Sequence, residues 1–275
     1  LTTGDGWLYT WNGENRLIET SRGDTRLTFA YDYMGRRVEK KVFTGEVLTK
    51  HLRFVYNEYR LIEELDAMNN NTPLRRYTWQ PDDVGLDVPL SVLDLAENKT
   101  YFYHTDANKN VTELTDSEGT VVAHYEYSPF GMVTKLSGDY VAINPFRFSS
   151  EYYDSETGLV YYNYRYYDPQ LGRWLSRDPI EEEGGYNLFA ILENEVINYY
   201  DQNGLSGIGE WLKRLINGGT KAKGIYDKTK SAGNKIKNAI ETATPGKPGE
   251  KMGQVMQNGA DAASLCGDAA SAQRL

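Results

Sequence analysis

Apolar and polar positions alternate along much of this chain, and turn-forming residues interrupt the alternation at short intervals. In Val121-Val122-Ala123-His124-Tyr125-Glu126-Tyr127, β-forming residues bracket polar ones at period two. Tyr161-Tyr162-Asn163-Tyr164-Arg165-Tyr166-Tyr167 reads the same way. A period of two sends successive side chains to opposite faces, so each segment is predicted to be a β-strand. Asp32–Gly35, Asp106–Asn110, Asp116–Gly119, Asp154–Gly158 and Asp168–Gly172 each begin with an aspartate that can bond its own backbone, and all but the second end in glycine, which tolerates positive φ. These five segments are predicted to be turns between strands.

The pattern also repeats. "WNGENRLIET" from Trp11, "YDYMGRRVEKKV" from Tyr31 and "YNEYRLIEEL" from Tyr56 start 20 and 25 residues apart. Each runs from an aromatic-led apolar segment through a polar turn to a second strand. A unit this small buries its apolar face only against its neighbours. The expected fold is mainly β, with antiparallel hairpin repeats coiling into a ribbon and a short, partly helical, partly flexible C-terminal tail.

Composition marks where the ribbon should end. Of 22 tyrosines, only Tyr226 lies after Leu205. Residues 206–275 hold eleven Lys and Arg against six Asp and Glu, a net +5; the whole chain carries −9, so residues 1–205 carry −14. Ile208, Trp211, Leu212, Leu215 and Ile216 recur at helical spacing with Lys213 and Arg214 opposite, which predicts a short amphipathic helix. The lysines through Lys237 suit either contact with an anionic membrane surface or a solvated helix packed on the shell, and no nucleic-acid partner is expected. From Thr242 onward Gly, Ala, Ser and Pro predominate, leaving too little apolar mass for a core. The single cysteine, Cys266, cannot form an internal disulfide, and no apolar run approaches the roughly 18 residues of a membrane-spanning helix. The opening LTTGDGWLYTW has neither an initiator Met nor a signal pattern, so a fragment of a longer chain is expected.

"YDYMGRR" resembles the tyrosine-aspartate (YD) repeat. "YFYHTDANKNVTELTDSEGTVVAHYEYSPFGMVT" and "NPFRFSSEYYDSETGLVYYNYRYYDPQLGRWLSRDPI" resemble the RHS repeat-associated core domain of RHS proteins, Tc toxin C components and related polymorphic toxins. The resemblance covers residues 11–205. It implies a β-ribbon that spirals into a hollow shell, closed by the core domain and holding a C-terminal effector inside. The corresponding division is residues 1–100 as YD-repeat strands, 101–205 as core domain and 206–275 as effector-like tail. The implied partners are the chain's own C-terminal segment, upstream RHS repeats, and a secretion apparatus or immunity protein. The implied location is secreted or cell-surface, and no cofactor is expected.

The resemblance further implies self-cleavage after the closing motif by an aspartyl-protease-like mechanism. Arg177 and Asp178 match its upstream Arg-Asp; Asp201, Gly204 and Leu205 match its closure, which makes Leu205–Ser206 the scissile bond. Amide hydrolysis needs one carboxylate to take a proton from water and another, kept protonated, to donate one. Two departures stand out. Gln202 replaces the usual proline after the closing aspartate, and Glu181 replaces the usual glycine three after the upstream one. Losing the proline frees φ, and Glu181, Glu182 and Glu183 are expected to disfavour ionisation of Asp178 if they sit close to it.

Other readings remain open. Asp201-Gln202-Asn203-Gly204 also reads as a plain turn and Arg177–Asp178 as a structural ion pair, as in a non-cleaving scaffold; a third reading makes the core a container for a membrane-active tail. Asp106-x-Asn108-x-Asn110 begins like a calcium loop, but Val111 and Ser117 stand where glycine and glutamate are needed, so a hairpin turn is expected. Gly219–Gly224 has phosphate-loop glycine spacing without the Lys-Ser/Thr that completes it. His51, His104 and His124 show no metal-ligand spacing.

Overall fold

Aspartates and aromatic residues divide the work of building the ribbon. In the computed structural model, which describes residues 6–81, 87–184, 186–194, 196, 201 and 204, twelve strands form one antiparallel sheet in sequence order. They are β1 (Leu8–Trp11), β2 (Leu17–Arg22), β3 (Thr25–Tyr31), β4 (Arg37–Thr44), β5 (Val47–Asn57), β6 (Arg60–Asp66), β7 (Thr72–Trp79), β8 (Pro89–Asp94), β9 (Lys99–Thr105), β10 (Val111–Thr115), β11 (Val121–Tyr127) and β12 (Val133–Ser137). The division expected between residues 100 and 101 falls inside β9. By contacts the chain separates into residues 1–210 and 211–275, and the second unit, with the amphipathic helix expected there, lies outside the described residues.

The turns follow from local chemistry. The Asp32 carboxylate accepts the N–H groups of Met34 at 3.0 Å and Arg36 at 2.9 Å; Asp106 does the same for Asn108 and Asn110, and Asp116 for Glu118 and Thr120. An aspartate thus replaces the strand ladder where the chain reverses. Aromatic residues at strand ends do the complementary job. Tyr31, Tyr56, Trp79 and Tyr127 each sit at a register shift. Each also donates a hydrogen bond across to the backbone carbonyl of the neighbouring strand, respectively at Leu17, Arg37, Leu61 and Val111. A bulge re-aims the ring inward, and the polar tip satisfies a carbonyl there. Tyr31 followed by Asp32 is therefore a staple followed by a turn cap.

A second, four-stranded antiparallel sheet comprises β13 (Tyr152–Asp154), β14 (Leu159–Tyr161), β15 (Tyr166–Asp168) and β16 (Arg173–Trp174). It corrects the expectation of one strand over Tyr161–Tyr167. Tyr162 and Arg165 exchange N–H to carbonyl hydrogen bonds at 3.0 Å in both directions, so the chain reverses tightly through Asn163 and Tyr164. Tyrosine's strand preference hid a turn whose one local signal is Asn163.

The small sheet is buried on both faces, so successive side chains of its strands enter two different cores. Leu159, Tyr161 and Tyr166 join a large core with the inward rings of the long sheet, Phe29, Phe54 and Tyr77 among them. Val160, Tyr162, Tyr167 and Trp174 face a second core completed by Phe148 and Ile191. Burying rings of this size supplies about 1.5–3 kcal/mol each, and edge-to-face contacts such as Tyr162–Trp174, with centroids 4.9 Å apart, add direction.

Candidate functional site

The reversal at Tyr162–Arg165 points Arg165 into the second core's polar margin. Its guanidinium lies over the Trp174 ring at 4.1 Å from the centroid, and Trp174 is fully buried. From there it reaches three places on the chain. Nη1 pairs with Oδ2 of Asp178 at 2.8 Å, Nη2 meets Oδ2 of Asp201 at 3.4 Å, and Nε donates to the carbonyl oxygen of Gly204. Two aspartates 23 positions apart thus share one cation.

The remaining carboxylate oxygens cap backbone. Asp178 Oδ1 accepts the N–H of Ile180 at 3.0 Å, and Asp201 Oδ1 accepts that of Gly204 at 2.9 Å. Between the two aspartates the chain folds back through short 3-10 turns at Glu181–Gly184 and Leu192–Asn194, with Arg173 bridging to Ala190. Gly204 sits at φ 79°, and a Cβ there would stand 3.0 Å from Cβ of Tyr162. Glycine allows the backbone at position 204 to rest directly on the Tyr162–Arg165 turn.

All three charged groups are nearly inaccessible, with Arg165 2%, Asp178 7% and Asp201 1% exposed. Burial raises the Asp178 carboxyl above its ordinary range, against the opposing pull of Arg165 and the Ile180 N–H. Burial likewise lowers Arg165, although Asp178 and Asp201 both favour its charged form. Arg165 thus bridges two buried carboxyls, whose titrations are coupled through it. The glutamates expected to crowd Asp178 are not the cause, since Glu181 and Glu182 are exposed. Lys109 is lowered by burial and Glu151 raised by it, and both feel the Asp201 charge.

The sequence-expected residues divide accordingly. Asp178, Asp201 and Gly204 come together. Arg177 is exposed, and its backbone carbonyl meets Nδ2 of Asn15 at 3.5 Å; the guanidinium on the aspartates belongs to Arg165. Leu205, Ser206 and Gln202 lie outside the described residues. Arg165 escaped the sequence reading, though it is the one charged residue in the aromatic run Tyr161–Tyr167. The calcium-like segment is the turn between β9 and β10, with Asp106 Oδ2 engaged by the Asn110 amide. His51, His104 and His124 lie on β5, β9 and β11 against Glu39, Thr115 and Glu113. Among the described residues no group of three His, Cys, Asp or Glu side chains could hold a metal, and no helix is long and apolar enough to cross a membrane.

Serial hairpins, stapled by aromatic residues and capped by aspartates, define a YD-type β-shell. The Teneurin YD-shell family model matches residues 2–203, and the chain belongs to that family. Its similarity to toxins is broad. It is 34% identical over 235 residues to tRNA nuclease WapA of Bacillus subtilis (strain 168), covering 82% of this chain and 9% of that protein. It is 31% identical over 224 residues to double-stranded DNA deaminase toxin A of Burkholderia cenocepacia (strain H111), covering 72% of this chain and 15% of the relative. The chain therefore spans only 9% to 15% of the length of these two relatives. Among solved structures, the crystal structure of TcdB2-TccC3-Cdc42 shares the fold, with a TM-score of 0.60 and 24% identity over 74% of this chain and 10% of that one.

Proposed function

We propose that this chain closes an encapsulating shell and that its core domain cuts the Leu205–Ser206 bond, freeing the C-terminal segment. The observation that carries this reading is the single guanidinium of Arg165, which gathers Asp178, Asp201 and the Gly204 carbonyl one residue before that bond. In the proposed step, water adds through its oxygen to the Leu205 carbonyl carbon while one ionised carboxylate takes its proton. The other carboxyl gives its proton to the Ser206 nitrogen as the carbon–nitrogen bond breaks, leaving a carboxylate on Leu205 and an amine on Ser206. Both carboxyls are buried, and the two divide the acid and base roles between them. The relatives, a tRNA nuclease and a double-stranded DNA deaminase toxin, support a toxic effector as the cargo of such shells. A secretion route and an immunity protein as partner belong to the same proposal.

One observation favours a second reading, a scaffold that does not cleave. Both carboxylates cap turns and both are paired, as structural aspartates would be. Expression of the full chain with Asp178→Asn or Asp201→Asn separates the two. Asparagine retains much of the capping while removing acid–base chemistry, so folded but unprocessed variants beside a processed wild type support cleavage. Equal processing in variants and wild type would refute the roles given to these residues.

A further inference from the structure

We infer that Arg165 is the positioning residue of this cleavage site, holding the closing segment by the Gly204 carbonyl while its two terminal nitrogens fix where the carboxyl groups stand. The inference deepens the hydrolytic reading and rests on it.

Three features of the geometry carry it. First, the three contacts come from separate points on the chain, at positions 178, 201 and 204, and converge on no other described side chain. Second, Arg165 itself has little freedom. Reciprocal backbone bonds with Tyr162 fix its main chain, and Trp174 fixes its guanidinium plane from beneath. Trp174 is held in turn by edge-on contacts with Tyr162 at 4.9 Å and Tyr167 at 5.4 Å. Third, the contacts combine two directed hydrogen bonds, Nε to Gly204 and Nη2 to Asp201, with an ion pair from Nη1 to Asp178, which calls for a planar fork. A guanidinium has this shape and an ammonium does not. One guanidinium thus holds two buried acids beside the same stretch of chain, as general acid–base hydrolysis requires.

Arg165 therefore does two separable things, supplying charge and supplying geometry. Among the described residues, the charged groups facing Asp178 are Arg165 on the β14–β15 turn and, across the same guanidinium, Asp201, whose charge Lys109 and Glu151 also feel. Removing the cation should raise the Asp178 midpoint, and restoring a point charge should lower it again without restoring the clamp.

The test uses the full chain and its R165Q and R165K variants, made by cell-free synthesis. Intact mass follows processing over time, and 13C NMR of the carboxyl groups follows Asp178. R165Q should process about 100-fold more slowly, the scale of an ångström-sized misplacement, and should titrate Asp178 at higher pH. R165K should bring the Asp178 midpoint back toward wild type while processing stays slow. Wild-type speed in R165Q, wild-type speed in R165K, or an Asp178 midpoint unchanged in R165Q would each overturn the assignment. A wild-type chain that is never processed would instead refute the hydrolytic reading, an outcome distinct from these three.

Discussion

Arg37 on β4 and Asp154 on β13 form a buried ion pair, Nη1 to Oδ2 at 2.5 Å, that ties the long sheet to the small one across 117 positions of sequence. The guanidinium is 1% exposed and is surrounded by the rings of Phe29, Phe54, Tyr152, Tyr161 and Tyr166 at 4.4 to 5.9 Å. Lys40 reaches the other Asp154 oxygen at 2.7 Å. Taking two charges out of water is costly, and the pair stabilises only because each charge is matched. Arg37→Ala should therefore lower the unfolding free energy by about 3–5 kcal/mol in chemical denaturation, since it leaves Asp154 buried with half its partners. A loss below about 1 kcal/mol, the value of an exposed pair, would show that the two sheets are held by their rings alone.

The same cluster sets an acid dependence. Burial opposes ionisation of Glu156, but Lys40 at 2.6 Å and Lys50 at 2.7 Å prevail and bring its carboxyl from 4.5 down to about 2. A folded-state value below the unfolded one means stability that is present above the unfolded value and lost as pH falls through the folded one. Glu156→Gln should cost up to about 3 kcal/mol at pH 7 and nearly nothing at about pH 2, read from melting curves across that range. A cost that stays constant with pH would contradict the ion-pair origin.

Gly204→Ala should loosen closure. The residue stands at φ 79° with the Tyr162 Cβ 3.0 Å from where a methyl group would go. Strain of that kind costs about 1–3 kcal/mol. The expected outcome is slower processing together with a modest loss of thermal stability, because Gly204 packs on Tyr162 of the second core. Unchanged processing would mean that the bond is presented by residues other than Gly204.

The ribbon was legible in the sequence because its signals are local. Asp32, Asp106 and Asp116 bond backbone groups two and four residues on, so the turn is written where it occurs. The Tyr31–Asp32 pair repeats that logic with a staple added. The pairing of Asp178 and Asp201 was expected only through family resemblance, because nothing in either segment says that they meet. Arg165 lay hidden for a different reason. Five tyrosines surround it in a seven-residue run that alternates like a strand, while the actual reversal is fixed by two backbone bonds between Tyr162 and Arg165. Reading that run as a single strand leaves Arg165 with no reason to reach residues 178, 201 and 204. Arg177 was expected there from its match to the family's upstream Arg-Asp, yet its exposed position keeps it from the buried pair.

The central claim is hydrolysis of one peptide bond by two aspartates. Intact mass spectrometry of the freshly synthesised full chain, with sequencing of any new amino terminus, tests it most directly. Cleavage by the two aspartates gives two products, one ending at Leu205 and one beginning at Ser206, and a single uncut species for Asp178→Asn. Only full-length wild-type chain, or a cut elsewhere that persists in Asp178→Asn, would contradict it.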